Sequence, residues 1–282
     1  MFRFVQVEWP WALGPPDGRY LLRPPGDPDA PPTHVVVFAT LGAPERRRLG
    51  ALRKQREAPP EPEPTPVSTG RATVIDAGRP LGGVDEARSW LQDAGEEELD
   101  EGVAVLNRAL HAFRLVTADP YLNMVAKHQA IVARLGFGAG EQVADGLWTD
   151  ARELVRRDGW QRRSRVLHPQ ARLAAVLGAR ERPLACEELA LRARLDLDHG
   201  RGREAALQVM VALDAALAEL SYDPSAPTLA DRLSELRGQR KAVAVAAQSA
   251  LGDELSAAQL EQVSFTLARI EAALRARAVA NA

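Results

Sequence analysis

The chain contains a single cysteine, Cys186, among its 282 residues. One thiol excludes an intrachain disulfide and any metal site built from clustered cysteines. Histidine is also scarce, and no two of the five histidines are three or four residues apart. That spacing is the one that places a metal-binding pair on one face of a helix. The sequence therefore predicts no metal site and no cofactor.

Long hydrophobic runs are absent as well. The longest strongly apolar run, residues 35–43, has about half of the roughly 20 residues that a membrane-spanning helix requires. The first residues lack the basic region and apolar segment of a secretory signal. We therefore expect a cytoplasmic protein that has no membrane partner.

Lysine is rare, and arginine supplies all but three of the 36 basic residues. The net charge is -2 and the isoelectric point is about 6.3. No strong overall field therefore draws the chain to nucleic acid or to anionic lipid. Because arginine is abundant throughout, its abundance in one segment is a weak functional signal.

Motifs of familiar catalytic chemistry are missing. No serine lies in the Gly-x-Ser-x-Gly pattern of a nucleophile elbow. The glycines of residues 135–146 follow a predicted helix where a nucleotide loop needs a strand, and Glu141 would repel phosphate. The eight carboxylates of residues 85–101 match no calcium loop. No catalytic residue is predicted, and an enzyme would need a site assembled in three dimensions, with His111, His128 and these acids as its candidates.

The first 80 residues have the patterns of β-strands, which are apolar alternation, β-branched runs and strong turn signals. Four segments share these patterns: residues 2–9, 18–23, 33–40 and 71–78. Prolines occupy five of the thirteen residues 58–70, which predicts an exposed loop because proline donates no backbone hydrogen bond. We predict a β-rich unit of three to four strands over residues 1–80, with a proline-rich loop at 58–70.

From Val84 onward, apolar residues recur every three or four positions, the period of amphipathic helices. One helix is predicted over 119–136, with Asp119 as its N-cap and Pro120 at its first position. Another is predicted over 141–155.

The last third of the chain has three leucine-rich stripes that step by three and four residues. Such stripes are typical of helices that pack at shallow angles, and the short breaks between them predict antiparallel neighbours. We therefore predict an α-helical bundle domain over 84–282. Together with the N-terminal unit, it predicts the α+β class.

The segment 186–219 reads as two helices joined at "GRGREA", which contains Gly200, Glu204 and Ala205. In this turn the segment resembles a tetratricopeptide repeat, a helical hairpin used in protein binding. Arg192 and Asp196 depart from the apolar or aromatic residues usual in that family. The resemblance implies four further packing positions: Leu189, Ala193, Val209 and Ala212. An ordinary helical pair within a bundle is the alternative.

Three aromatic residues surround prolines near a predicted strand edge: Trp9, Trp11 and Tyr20. Aromatic side chains anchor many protein interfaces. These three residues are the candidate protein-binding site, and internal packing is the alternative.

The segment 152–173 is rich in arginine and contains Trp160. Residues 150–182 hold nine arginines against four carboxylates. Arginine beside tryptophan is typical of proteins that hold single-stranded nucleic acid. The candidate nucleic-acid-binding residues are Arg156, Arg157, Trp160, Arg162, Arg163 and Arg165.

These observations favour a non-enzymatic interaction or scaffold module whose partner is another protein or a second copy of the chain. A nucleic-acid-associated regulatory protein is the first alternative. An enzyme is the second.

Overall fold

The computed structural model describes residues 1–24, 27–42, 68–154, 169–223 and 225–280, and only the backbone of 169–171. Contacts divide the chain into two compact units, Met1–Arg156 and Arg157–Ala282. The predicted domain boundary after residue 80 lies inside the first unit. Most of the proline-rich segment predicted at 58–70 lies outside the described residues.

The first unit contains a six-stranded antiparallel sheet within the described residues, in the order β2-β3-β4-β1-β5-β6. The strands are β1 (Phe2–Trp9), β2 (Gly18–Leu22), β3 (His34–Leu41), β4 (Thr69–Asp76), β5 (Val132–Gly138) and β6 (Asp150–Glu153). β1 lies between β4 and β5, so it is the centre on which the other strands assemble. The predicted α+β class is confirmed, with more strands than the three to four expected.

β5 lies in the segment 119–136, so the helix predicted there is wrong. The helix predicted over 141–155 is present only at its start, as a short helix at Gly140–Ala144, and β6 occupies its later part. The apolar residues of β5 also fit a period of two, since Ala133, Leu135 and Phe137 alternate along the strand and are all buried. β1 supplies the backbone partner for β5, pairing from Phe2↔Gly138 to Glu8↔Val132. A pairing between residues more than 120 apart overrides local helix signals.

Two helices, α1 (Val84–Asp93) and α2 (Glu96–Thr117), follow β4. α2 begins with three glutamates, which favour a helix N-terminus, and Glu98 accepts a 2.5 Å hydrogen bond from the Gly95 N–H. The helix ends where Ala118 adopts a left-handed conformation, with φ of 51°.

The main core of the first unit lies between one sheet face and these two helices. Inward residues of the strands, such as Val5 and Phe38, pack with Leu106 and Leu110 of α2. The short helix α3 (Gly140–Ala144) contacts β1, β4 and β5, and its Val143 joins a smaller cluster on the other face with Phe4 and Ile75.

The second unit is helical where it is described. Its helices are α4 (Pro169–Leu177), α5 (Ala185–Asp198), α6 (Gly202–Ser221), α7 (Ala230–Ala250) and α8 (Ala257–Ala280). Each helix from α5 to α7 packs on the next, and α8 also contacts α5 and α6, which closes a four-helix bundle. None of the described helices is both long and apolar enough to cross a membrane.

Sequence patterns predicted the bundle core well. The stripe residues Leu213, Leu236, Val263 and Ile270 are fully buried. Ser256, before α8, exchanges capping hydrogen bonds with Gln259 at 2.9 and 3.3 Å, as its spacing predicts.

The hairpin predicted over 186–219 is present as α5 and α6. Gly200 in its turn has φ of 69°, a left-handed conformation that favours glycine. Ala193, Val209 and Ala212 are buried between the helices.

α2 approaches the sheet most closely at Gly102, where a Cβ atom would lie 2.7 Å from Cβ of Val5. Gly102→Ala is expected to lower the free energy of unfolding by about 1–3 kcal/mol, because the helix must shift from β1. The measurement is chemical denaturation followed by tryptophan fluorescence.

Gly238 in α7 is the matched control, because a Cβ atom there meets nothing within 4 Å. Gly238→Ala is expected to raise the stability of the helical unit by about 0.5–1 kcal/mol through helix propensity alone, as measured by far-UV circular dichroism during denaturation. Stabilisation by both substitutions would contradict the close packing of α2 on β1.

Candidate functional site

β2 forms one border of the sheet. It pairs with β3 from Gly18↔Phe38 to Leu22↔His34 and has no second strand partner among the described residues. Alternate backbone groups of such a strand point outward, unpaired, and can receive another strand. Pro16 and Pro24 limit the available length. We call residues 17–23 the β2 edge.

Two large side chains of the β2 edge are exposed. Tyr20 is 38% exposed and Leu21 is 56% exposed, and they lie on opposite faces because side chains alternate along a strand. The Tyr20 ring packs edge-on against Phe38 at 5.6 Å, and its hydroxyl donates a 2.9 Å hydrogen bond to the carbonyl of Pro16. Tyr20 is therefore an aromatic side chain held in one place before any partner arrives.

The three predicted protein-binding aromatics are in different environments. Trp9 is fully buried in the main core, and its Nε1 has no hydrogen-bond partner among the described residues. Trp11, in the loop between β1 and β2, is 39% exposed. Of these three residues, Trp11 and Tyr20 are exposed enough for a partner to contact them.

The opposite border of the sheet, β6, differs in character. Three of its four residues are charged, namely Asp150, Arg152 and Glu153. Arg152 donates hydrogen bonds to the carbonyls of Leu91 and Ala94 at the end of α1. Charged residues on an outer strand oppose pairing with another chain, so β2 is the more receptive border.

A second candidate is a polar pocket between the sheet and α2, which we call the Asp76 cluster. Asp76 accepts hydrogen bonds from Arg3 at 2.9 Å and from Nε of Arg79 at 3.0 Å. Arg79 also donates to Glu101 at 2.7 Å. These ion pairs connect the start of β1, the end of β4 and α2, which is a structural role.

The pocket of the Asp76 cluster is also lined by His34 and Trp90. Burial lowers the pKa of His34, and the nearby carboxylates of Asp76 and Glu101 oppose that effect. The Arg3 guanidinium lies 5.7 Å from the centre of the Trp90 ring. The cavity volume is about 40 Å³, far below the roughly 300–1,000 Å³ of small-molecule sites. The pocket has room for a few water molecules.

Sequence reasoning missed the Asp76 cluster, although one signal was present. In the alternating strand β1, Arg3 falls on the same face as Val5 and Val7. A charged residue on an inward face requires a partner. The identity of that partner, Asp76, depends on the pairing of β1 with β4.

The residues proposed for an enzyme site are not brought together in this pocket. His111 lies in α2, and His128 lies in a short 3₁₀ helix, Lys127–Gln129. Of the acids at 85–101, Glu98 and Glu101 line the pocket, whereas neither of these histidines does. The described residues hold no group of three or more His, Cys, Asp or Glu side chains that could bind a metal ion. The enzyme hypothesis stays a prediction.

All six candidate nucleic-acid-binding residues, from Arg156 to Arg165, lie outside the described residues. Two other arginines of the 152–173 segment are described. Arg152 binds the end of α1, and Arg172 pairs with Glu181 at 2.9 Å and Glu187 at 2.5 Å. Neither is a free cation, and nucleic-acid binding stays a prediction.

The helical unit contains an ionic cluster of its own. Arg277 of α8 is almost fully buried, and its Nε donates a 2.6 Å hydrogen bond to Asp223. Glu181 and Glu187 lie 3.6 and 3.5 Å from the same guanidinium. Every charge in this cluster has an opposite charge beside it, which indicates a structural role.

Cys186 lies at the start of α5 and is buried. Burial raises the pKa of its thiol, and the carboxylate of Glu219 raises it further. Glu219 also accepts hydrogen bonds from the backbone N–H groups of Ala185 and Cys186, both at 2.9 Å. The thiol is therefore a packed structural group that carries no charge at neutral pH.

Comparison with known proteins gives no match: no family model fits the chain, and no curated protein and no solved structure matches it significantly.

Proposed function

We propose that this protein is a non-enzymatic interaction or scaffold module of the cytoplasm, and that the β2 edge is its binding element. The supporting observation is an outer strand that has no second strand partner in the part of the chain that the structure describes and that holds a fixed aromatic, Tyr20, next to an exposed leucine, Leu21. In strand addition, backbone hydrogen bonds supply affinity and alternate side chains supply specificity. Trp11, half-exposed in the preceding loop, is the second aromatic available to a partner.

Leu21→Lys tests this proposal, because lysine on an outer strand opposes pairing with another chain. The substitution places a charge on the β2 edge, and it leaves the core intact because Leu21 is more than half exposed. We expect the retention of partner chains, measured by cross-linking and affinity capture of the tagged full chain, to fall at least about tenfold, since tenfold corresponds to 1.4 kcal/mol of binding free energy.

Tyr121→Ala is the matched control, because Tyr121 is 86% exposed in the same unit and lies outside the β2 edge. This variant is expected to retain partners as the native chain does. Equal retention by the native chain and Leu21→Lys, with both folded, would overturn the proposal.

A further inference from the structure

The charge pattern of the β2 edge is complementary to itself, which favours a second copy of the chain as the partner. Residues 17–23 read Asp-Gly-Arg-Tyr-Leu-Leu-Arg, with an acid at one end and a base at the other. Two copies of such a strand, aligned antiparallel, place each acid opposite a base. This self-complementarity is the property that an interface with twofold symmetry requires.

Only a few registers join two copies into one continuous sheet with their helices on the same side. In such a register, residues directly opposite each other have their side chains on the same face. The twofold axis then passes beside one central residue, which lies opposite the same residue of the second copy. The candidates near the middle of the β2 edge are Arg19, Tyr20 and Leu21. Charge distinguishes among these three centres.

A centre at Tyr20 places Asp17 opposite Arg23 of the second copy, and this pair occurs twice. It also places Arg19 beside Leu21 of the second copy and the two Tyr20 rings next to each other. A centre at Arg19 would set two Arg19 side chains opposite each other, and a centre at Leu21 would set Arg19 opposite Arg23. Like charges directly opposite are destabilising, so the charges favour the Tyr20 register.

The side chains that pair in this register, Asp17 and Arg23, have polar atoms available for a partner. Asp17 is exposed, and one of its oxygens accepts a 2.8 Å hydrogen bond from Thr40. Arg23 is exposed, and its Nε donates to the carbonyl of Ala30 at 2.9 Å. The other Asp17 oxygen and both Nη groups of Arg23 have no partner among the described residues.

Two devices that block strand pairing are missing from the β2 edge. It has no lysine, and its register with β3 is continuous, without a bulge. Its one central charge, Arg19, is paired with Asp145. The charged border strand β6 shows the contrasting arrangement within the same sheet.

We propose that the partner of the β2 edge is a second copy of this chain, which pairs antiparallel about Tyr20 and joins two six-stranded sheets. This inference rests on the proposed function, because it names the partner of the same surface.

Charge reversal at the two ends of the β2 edge tests the register directly. In a homodimer, Asp17→Arg sets the introduced guanidinium opposite Arg23 of the second copy, and Arg23→Asp sets two acids opposite each other. Each variant alone is expected to dimerise about tenfold more weakly than the native chain, because two attractive pairs become repulsive. An equimolar mixture of the two variants should form a heterodimer, because each basic strand then lies along an acidic one.

Sedimentation equilibrium and native mass spectrometry at low salt give the oligomeric states, and circular dichroism verifies folding. A native chain that is monomeric at all concentrations, or single variants that dimerise as tightly as the native chain, would overturn the inference. If Asp17→Arg does not fold, Arg23→Asp alone must still weaken the dimer about tenfold. If the native chain is monomeric but retains another protein through Leu21, the dimer inference is wrong and the proposed function is still supported.

Discussion

Replacing Arg277 with methionine is expected to lower the free energy of unfolding of the helical unit by about 3–5 kcal/mol. The Arg277 side chain is 7% exposed and its partner Asp223 is 6% exposed. Methionine keeps much of the packing volume but leaves the Asp223 carboxylate buried without its cation. An unpaired buried charge is far more unfavourable than the absence of the whole pair.

Acid titration provides a second readout of the same pair. Burial opposes ionisation of Asp223, but hydrogen bonds from Ser225 and Arg277 outweigh it and lower the pKa to about 2. A carboxylate whose pKa is depressed by folding contributes stability above its unfolded pKa, and that contribution is lost as the pH falls through the folded pKa. The native chain should therefore lose stability between about pH 4 and pH 2, and Arg277→Met should lose less over that interval.

Far-UV circular dichroism is the probe for this experiment because the helical unit dominates its signal. Tryptophan fluorescence reports mainly the sheet unit, which holds four of the five tryptophans: Trp9, Trp11, Trp90 and Trp148. Arg240→Met is the matched control, since Arg240 forms an exposed ion pair with Asp214 at 2.7 Å. A control as damaging as Arg277→Met, or no loss in either variant, would contradict a structural role for the buried pair.

The sequence predicts the burial of Arg277 but does not predict its partner. A step of three or four residues along α8 places Arg277 on the stripe of Ile270 and Ala273, so its burial was predictable. Its main partner, Asp223, lies in a connection 54 residues away. Long-range partners of this kind follow from the packing of several helices and have no local signature.

The same distinction explains what could be predicted in the sheet. The segments of β1 to β4 were identified from alternation and turn signals, because those signals are local. The order of the strands is set by long-range pairing, so the border position of β2 could not be foreseen. The sequence did not predict β5 because its apolar residues fit both the period of a helix and the period of a strand. The pairing with β1 favours the strand.

Trp9 and Trp11 have similar sequence surroundings, but we expect their replacement by alanine to have very different effects. Trp9→Ala should lower the free energy of unfolding of the sheet unit by about 3–5 kcal/mol, because it empties a fully buried position in the core. Trp11→Ala should lower it by about 1 kcal/mol or less, since this side chain is 39% exposed. Urea denaturation followed by the remaining tryptophan fluorescence measures both values.

This contrast decides which of the two aromatics can serve binding. A residue that faces a partner can be removed without unfolding its own domain, whereas a core residue cannot. If Trp11→Ala unfolds the sheet unit as Trp9→Ala does, Trp11 belongs to the core and the binding surface reduces to the β2 edge itself. If Trp11→Ala folds normally and loses partner retention, Trp9 serves stability and Trp11 serves recognition. Only one proline separates these two tryptophans, and β1 ends at Trp9, so Trp11 lies outside the strand.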